Sequence, residues 1–462
     1  MASSDNSIKI HEQCIVAPPS ATATSFTLPL TFFDIIWLRF HPVERIFFYS
    51  LPLPHSQPCF FFDNLKTSLS RTLQHFLPSA GNVVWPSDSP KPFIQFNPGD
   101  GVSFVLAQCD VDAEFDHLLD HSPREATQSR TLVPHLHSSD SLASVISFQI
   151  TLFPNKGFTI GISSHHALFD GKSSSMFIKA WAYACKSNEE KLEALFDREL
   201  IKDPTGLESV FINNWRKMDT SNCRSLKIMS QPIKEHAVRA TFELTREDLD
   251  KIKKMVLSKW ELVEEEAEPN FASSNSKPTT LSTFVISCAY VSVCIVKAFH
   301  KAQIIQKFAL GFPFDCRARL EPPIPENYFG NCVASHIVDA ELDDFIKEDG
   351  VVIVAKRIWS KVKMLDKGAL DGVETMSSNH MAKSSEGVEV IGVAGSNRHG
   401  IYGIDFGWGR PAKVEITSID KGVSIGLTES KDGRGGVQLG LVLNKHVMDH
   451  FHALFHARLS FD

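Results

Sequence analysis

The sequence predicts an α/β protein built as two domains, and three observations carry that reading. With 462 residues the chain is too long for one compact core and suggests two units of roughly 200 residues each. Short alternating apolar runs, which read as strands, are interleaved with runs of helical spacing. Apolar residues make up 43% and charged residues 22% of the chain, the balance of an ordinary globular protein. The expected boundaries are an N-terminal domain over residues 1–200, a mixed polar crossover linker at 201–231, and a C-terminal domain over 232–462.

Taken in order, DNLKTSLSRTLQHFLPSAGN (Asp63 to Asn82) places Leu65, Leu69, Leu73, Phe76 and Leu77 at helical spacing, with Pro78 and Gly81 as stop signals. Val145 to Phe153 reads as a strand, PNKG as a turn, and the alternation of Phe158, Ile160 and Ile162 as the returning strand. That strand runs directly into His165 and His166. After Gly171, KSSSMFIKAWAYAC reads as a helix with a serine cap and with Phe177 and Trp181 on one face. The second domain opens on VRATFELTREDLDKIKKMVL, a strand then a helix, with Thr245 three residues ahead of Asp248 in a capping-box spacing. Glu261 to Thr280, acidic and then rich in Ser, Asn and Pro, reads as a solvated loop. The apolar run Phe284 to Val296 is too short to span a bilayer, so it is expected as a buried helix and no membrane partner is expected. KVEITSI, VSIGLTES and VQLGLVL read as strands before a closing amphipathic helix, KHVMDHFHALFHARL.

The totals narrow the function classes. Net charge is −7 and no basic stripe appears, which argues against nucleic acid as a partner. The opening MASSDNSIKIHEQC has no apolar core of a secretory signal. The nine cysteines are scattered and never form C-x-x-C, as expected for reduced thiols in a cytoplasmic protein. The 34 phenylalanines suit thick cores and apolar pockets.

The chemistry concentrates in ISSHHALFDGKSSS, Ile162 to Ser175. His166 and Asp170 are four apart and could share a helix face, but no third ligand completes a zinc set, so no metal is expected. His446, His450, His452 and His456 on the last helix likewise lack an acid or cysteine partner. GVSIG, Gly422 to Gly426, matches G-x-S-x-G, but its serine lies inside a strand pattern rather than at a strand-to-helix elbow. A single histidine acting as general base remains, with a neighbouring carboxylate to lock its loop and a glycine to let the chain turn.

HHALFDG in mid-chain and DFGWG at Asp405 to Gly409 together resemble the BAHD family of plant acyl-CoA-dependent acyltransferases. LPLTFFDIIWL, LPSAGNV, LSTFVISCAY, DCRARL and VAGSNRHGIYGIDFGWGRPAKVE resemble family segments in family order, so the likeness covers nearly the whole chain. YFGNC, Tyr328 to Cys332, resembles the signature of the clade acting on anthocyanin and other phenolic glucosides, and the malonyltransferases of that clade are the likeness to name.

The resemblance implies two similar-sized, chloramphenicol-acetyltransferase-like domains with a solvent channel at their interface. It implies His166 as general base, Asp170 as an architectural residue paired with Arg317, and Gly171 as part of the same loop. Asp405 is taken as a second catalytic candidate, beside the reading that DFGWG is a structural turn in which Phe406, Gly407 and Trp408 support the channel wall. Ser282 and Thr283 match a segment contacting acyl-CoA; as plain sequence they also read as the cap of the following helix. No permanently bound cofactor is implied. The co-substrates are acyl-CoA, malonyl-CoA favoured, and a phenolic or flavonoid glucoside, with direct transfer to a sugar hydroxyl, the 6-hydroxyl favoured. A malonyl carboxylate needs a cationic partner, for which Lys172 and the Arg398–His399 pair are candidates. A hydroxycinnamoyl donor and a catalytically inactive binding protein are the alternatives. The family is mostly monomeric.

Overall fold

A computed structural model of the chain describes residues 8–457, apart from 20–23, 52–57, 190–193, 219–223, 230–231 and 264–276. Among the described residues there are three sheets. The six-stranded sheet has the order Ile8–Val16, Val102–Cys109, Ile146–Phe153, Gly157–Ser164, Val43–Ser50, Lys413–Ile416. The seven-stranded sheet runs Val333–Asp339, Lys307–Asp315, Val388–Ser396, Ser424–Glu429, Val437–Asn444, Ala237–Leu244, Arg124–Glu125. A four-stranded sheet flanks the first half of the chain. The result is a mixed α/β architecture with one large sheet per half.

Local signals build most of these elements as read. Ile146–Phe153 and Gly157–Ser164 form an antiparallel pair in which every residue is buried, so strand propensity and burial act together. The Thr245 hydroxyl accepts from the Asp248 N–H and Asp248 returns to the Thr245 N–H, a complete capping box on the helix Arg246–Lys259. Three points differ. The helix Gly171–Ser187 is capped by Asp170 rather than by a serine, because the Asp170 carboxylate reaches the Ser173 N–H (3.0 Å). The expected linker contains a helix, Leu207–Met218, whose narrow apolar face (Leu207, Phe211, Ile212) is hidden in a polar stretch. The apolar helix extends over Thr283–Lys301, 19 residues, a length and apolarity that would cross a bilayer. It is buried here as the core of the C-terminal half, against the helices Gly350–Leu365 and Lys445–Ala457. Of the solvated loop read over Glu261 to Thr280, residues 264–276 lie outside the described residues.

Two strands cross between the halves. Lys413–Ile416, late in sequence, closes the six-stranded sheet against Val43–Ser50, and Arg124–Glu125, early in sequence, adds to the seven-stranded sheet. A buried charge cluster joins these exchanged strands. Glu415 pairs with Arg124, with Lys413 at 2.9 Å and with the Ser129 hydroxyl at 2.9 Å, while Arg239 donates to the carbonyls of Ile416 and Thr417. Burial opposes the Glu415 charge, but Lys413, Arg124 and Arg239 outweigh it and hold its pKa far below the ordinary carboxylate range.

One sheet also opens. Val388–Ser396 pairs in parallel with residues 307–310 through residues 388–391, then switches to residues 424–428 through residues 392–396. Beyond the switch, residues 311–315 and 392–396 line a large cavity.

Removing Glu415 leaves three buried cations without their shared carboxylate, a loss of about 3–5 kcal/mol for a broken buried ion pair. Glu415→Ala is expected to lower the urea midpoint accordingly. The wild-type contribution, coming from a depressed carboxylate, is present at neutral pH and lost as pH falls below the usual carboxylate range. Urea unfolding of both proteins across pH checks this.

Candidate active site

The cavity occupies about 1970 Å³ between the two halves. Ligand sites for single small molecules are typically about 300–1,000 Å³, so this one has room for two substrates. His166 stands in its wall, immediately beyond the strand Gly157–Ser164. Its ring stacks on Trp37 at 4.2 Å and 14°, and Phe40 meets it edge-on at 5.7 Å. Its carbonyl accepts from the Asn331 side chain (2.9 Å), which also donates to Asp34 (2.9 Å). Nδ1 is buried, leaving Nε2 for the cavity. Burial pushes the His166 pKa below the usual imidazole value, against the opposing pull of its own carbonyl and of Asp170. The ring is therefore neutral at pH 7, the form a base requires.

His165 points the other way. It is fully buried, its Nδ1 accepts from the Ala167 N–H (3.1 Å), and burial lowers its pKa to about 4. The two adjacent imidazoles thus separate into one packed in the core and one in the cavity wall.

Asp170 turns away from His166's cavity face into the protein. Its Oδ2 meets Arg317 Nη1 at 2.7 Å and the Cys332 N–H at 3.1 Å, and its Oδ1 accepts from the Ser173 N–H. Burial alone would raise its pKa; Arg317 and these donors outweigh burial and hold it below the ordinary range. Arg317 also donates to the Gly330 carbonyl (3.1 Å). Gly171 does not use its freedom of φ, since it is absent from the positive-φ positions. What it supplies is space: a Cβ there would lie 2.8 Å from His399 Nε2.

The DFGWG segment lies elsewhere. Asp405, Gly407 and Trp408 are not among the residues lining the cavity. Asp405 Oδ1 accepts from the N–H groups of Gly407 (2.8 Å) and Gly409 (2.9 Å), and Oδ2 pairs with Lys186 at 2.6 Å. The two glycines have φ of +107° and +98°, a backbone that other residues rarely adopt. Phe406 packs edge-on against Trp181 at 4.8 Å, and Trp408 lies tilted against Phe61 at 4.4 Å. Ser282 and Thr283 do line the cavity, and Ser282 also caps Thr283–Lys301 by accepting from the Val285 N–H (3.2 Å). Lys172 lines it too, paired with Glu326; Arg398 and His399 lie on the same wall, with His399 lowered to about 4 by burial. No group of three metal-binding side chains occurs among the described residues; of the terminal-helix histidines, His446 packs on His450, and His452 and His456 pack on each other and on Phe242.

The Transferase family model matches residues 6–457 of this chain. The chain belongs to the BAHD acyltransferase family. It is 40% identical to phenolic glucoside malonyltransferase 1 of Arabidopsis thaliana, over 99% of this chain and 98% of the relative. It is also 40% identical to malonyl-CoA:anthocyanidin 5-O-glucoside-6''-O-malonyltransferase of the same plant, over 98% and 99%. Its fold matches the crystal structure of vinorine synthase with a TM-score of 0.69 at 17% identity, covering 96% of each chain. It also matches F. graminearum TRI101 complexed with ethyl coenzyme A, with a TM-score of 0.67 at 14% identity, over 93% of this chain and 97% of that one. The protein is thus an acyl-CoA-dependent BAHD acyltransferase with the family's mixed α/β fold.

Several residues of this BAHD site escape a reading by motif. Trp37 and Phe40 clamp His166, and Asn331, itself held by Asp34, donates to its carbonyl. Asp34, Trp37 and Phe40 recur every three residues in one segment, a spacing that could have flagged them as sharing a face. Asn331 belongs to YFGNC, which is the brace between His166, Asp34 and Asp170.

His166, being neutral through burial, is expected to titrate below the ordinary imidazole value of about 6.5. An NMR titration of His166, assigned by comparison with His166→Gln, checks this; a value at or above that of a free imidazole contradicts the packing described. Asp170→Ala leaves the buried Arg317 with only the longer ion pair to the half-exposed Asp315 (3.3 Å) and is expected to cost about 3–5 kcal/mol, measured by chemical denaturation.

Proposed function

We propose that this acyltransferase moves the malonyl group of malonyl-CoA onto a sugar hydroxyl, the 6-hydroxyl favoured, of a phenolic or flavonoid glucoside. The observation that carries the reading is one neutral imidazole, His166, in the wall of a cavity large enough for donor and acceptor at once. The names of the two relatives at 40% identity favour the malonyl donor and the glucoside acceptor.

His166 Nε2 takes the proton of the acceptor hydroxyl. The oxygen then forms a bond to the thioester carbonyl carbon, giving a tetrahedral oxyanion. Its collapse breaks the C–S bond, and the departing CoA thiolate receives the proton from His166. Atoms and charge balance with no acyl-enzyme, so no nucleophilic serine or cysteine is called for. Ser282 and Thr283, at the start of the helix Thr283–Lys301, are suited to hydrogen bonding the CoA arm. Asp170, Gly171 and Arg317 position the loop, and Asp405, with its turn donors and Lys186, holds the Phe406 and Trp408 rings against the N-terminal half. The free thiols of the described cysteines fit a reducing, cytoplasmic compartment.

Purified protein is mixed with malonyl-CoA or p-coumaroyl-CoA and a phenolic glucoside, and free thiol is followed. Glucoside-dependent release from malonyl-CoA is expected, and His166→Ala is expected to lower it by about 10²–10⁴-fold. Release only from p-coumaroyl-CoA sinks the donor assignment, and ligand binding without release sinks the catalytic one. Asp405→Ala separates the two readings of that residue. A positioning role predicts loss of activity together with a lower melting temperature, whereas a proton-transfer role predicts lost turnover at unchanged stability.

A further inference from the structure

One buried charge in the cavity wall makes no ion pair among the described residues, its guanidinium carbon lying 6.0 Å from the Phe47 ring centre. Arg45 lies on Val43–Ser50, a central strand of the six-stranded sheet, between Ile162 and Ile416 of its neighbours. It is 6% exposed. Its Nε and Nη1 are buried without a hydrogen-bond partner, and it forms no ion pair among the described residues. Glu429, whose charge bears on it, instead accepts from the Tyr402 N–H at 2.8 Å. Burial lowers its pKa only to about 10, so it stays charged at neutral pH. Arg317, the other deeply buried cavity arginine named above, is neutralised by Asp170. A desolvated guanidinium left alone is costly, and its planar fork matches a carboxylate.

We propose that Arg45 is the receptor for the terminal carboxylate of the acyl donor and thereby selects malonyl-CoA; this rests on the malonyltransferase reading above. The placement fits. Ile162, cross-strand from Arg45, precedes His166 by four residues, a backbone span of at most about 13 Å that an arginine side chain and a malonyl group bridge together. Gly171 and His399, beside the same part of the cavity, leave space and a neutral ring rather than a competing charge. The phosphates of CoA are multiply charged and remain hydrated, which suits exposed cations such as Arg398 rather than a group sealed inside the sheet.

The test compares kcat/KM for malonyl-CoA and acetyl-CoA with one neutral phenolic glucoside, in wild type, Arg45→Met and Arg45→Lys. Both donors carry the same CoA, and the acceptor has no carboxylate, so the ratio isolates the malonyl charge. Arg45→Met is expected to lower the malonyl-to-acetyl ratio roughly 10–150-fold, the effect of one lost charged hydrogen bond, with acetyl transfer kept within about threefold. Arg45→Lys keeps part of the preference, because the charge remains and the fork is lost. An unchanged ratio, or an equal fall for both donors, overturns the proposal while leaving the malonyltransferase reading intact. Should wild type transfer no malonyl group, that reading fails and Arg45 is judged by calorimetric binding alone. A wild-type preference for malonyl-CoA over acetyl-CoA that Arg45→Met abolishes upholds it, and equal affinities overturn it. Removing an unpartnered charge is expected to leave the melting temperature unchanged or raised. If Arg45→Met does not fold, the ratio in Arg45→Lys decides, an unchanged value counting against.

Discussion

The buried pair of Asp170 and Arg317 is the constraint from which the site takes its shape. One carboxylate caps the helix Gly171–Ser187, accepts the Cys332 N–H, and draws in an arginine that begins a short turn in the C-terminal half. Every one of those bonds fixes the short loop that starts at His166. A buried ion pair is a poor source of net stability, since desolvation offsets most of its Coulomb energy. What it does is penalise any arrangement in which either partner is left alone, and that fixes one loop geometry out of several compact ones.

The same logic sorts the other charges of the molecule. Glu415 and Lys413 on one exchanged strand meet Arg124 on the other and Arg239 on the seven-stranded sheet, so the cluster ties the halves together where the cavity needs them fixed. The imidazoles next to the cavity, buried His165 and half-buried His41 and His399, avoid the problem by being neutral, each lowered to about 4 mainly by desolvation. Arg45 can do neither, because it cannot deprotonate near neutral pH and no carboxylate among the described residues hydrogen-bonds it, Glu429 acting only from a distance. Arg124, Arg239 and Arg317 each meet a carboxylate inside the chain, whereas the guanidinium of Arg45 makes no such ion pair among the described residues.

The cavity itself arises from a sheet that stops pairing. Gly311 and Gly392 sit where Val388–Ser396 leaves one neighbour for another. The walls beyond that point are therefore strand residues rather than loops. Rigid walls suit a reaction in which two substrates must be held together and no covalent intermediate stores the acyl group. Trp37 and Phe40 continue this rigidity around His166, restricting the ring by contact.

The α/β class, the main strands and helices, and the His166–Asp170 spacing are legible in the residues alone, because each is a local pattern of period, cap or turn. The capping box at Thr245 and Asp248 is legible for that reason, since both partners lie within one helical turn. The resemblance already pointed to His166, but its place in a cavity wall, the turn that Asp405 caps away from that cavity, the brace from Asn331, and the presence of Trp37 and Arg45 in the wall emerge from packing. Arg45 reads in sequence as one polar residue beside Glu44 at the start of an apolar strand. Its isolation exists only after neighbours distant in the chain have closed around it, because a group's solvation and partners are properties of the packed surroundings and not of the residues beside it.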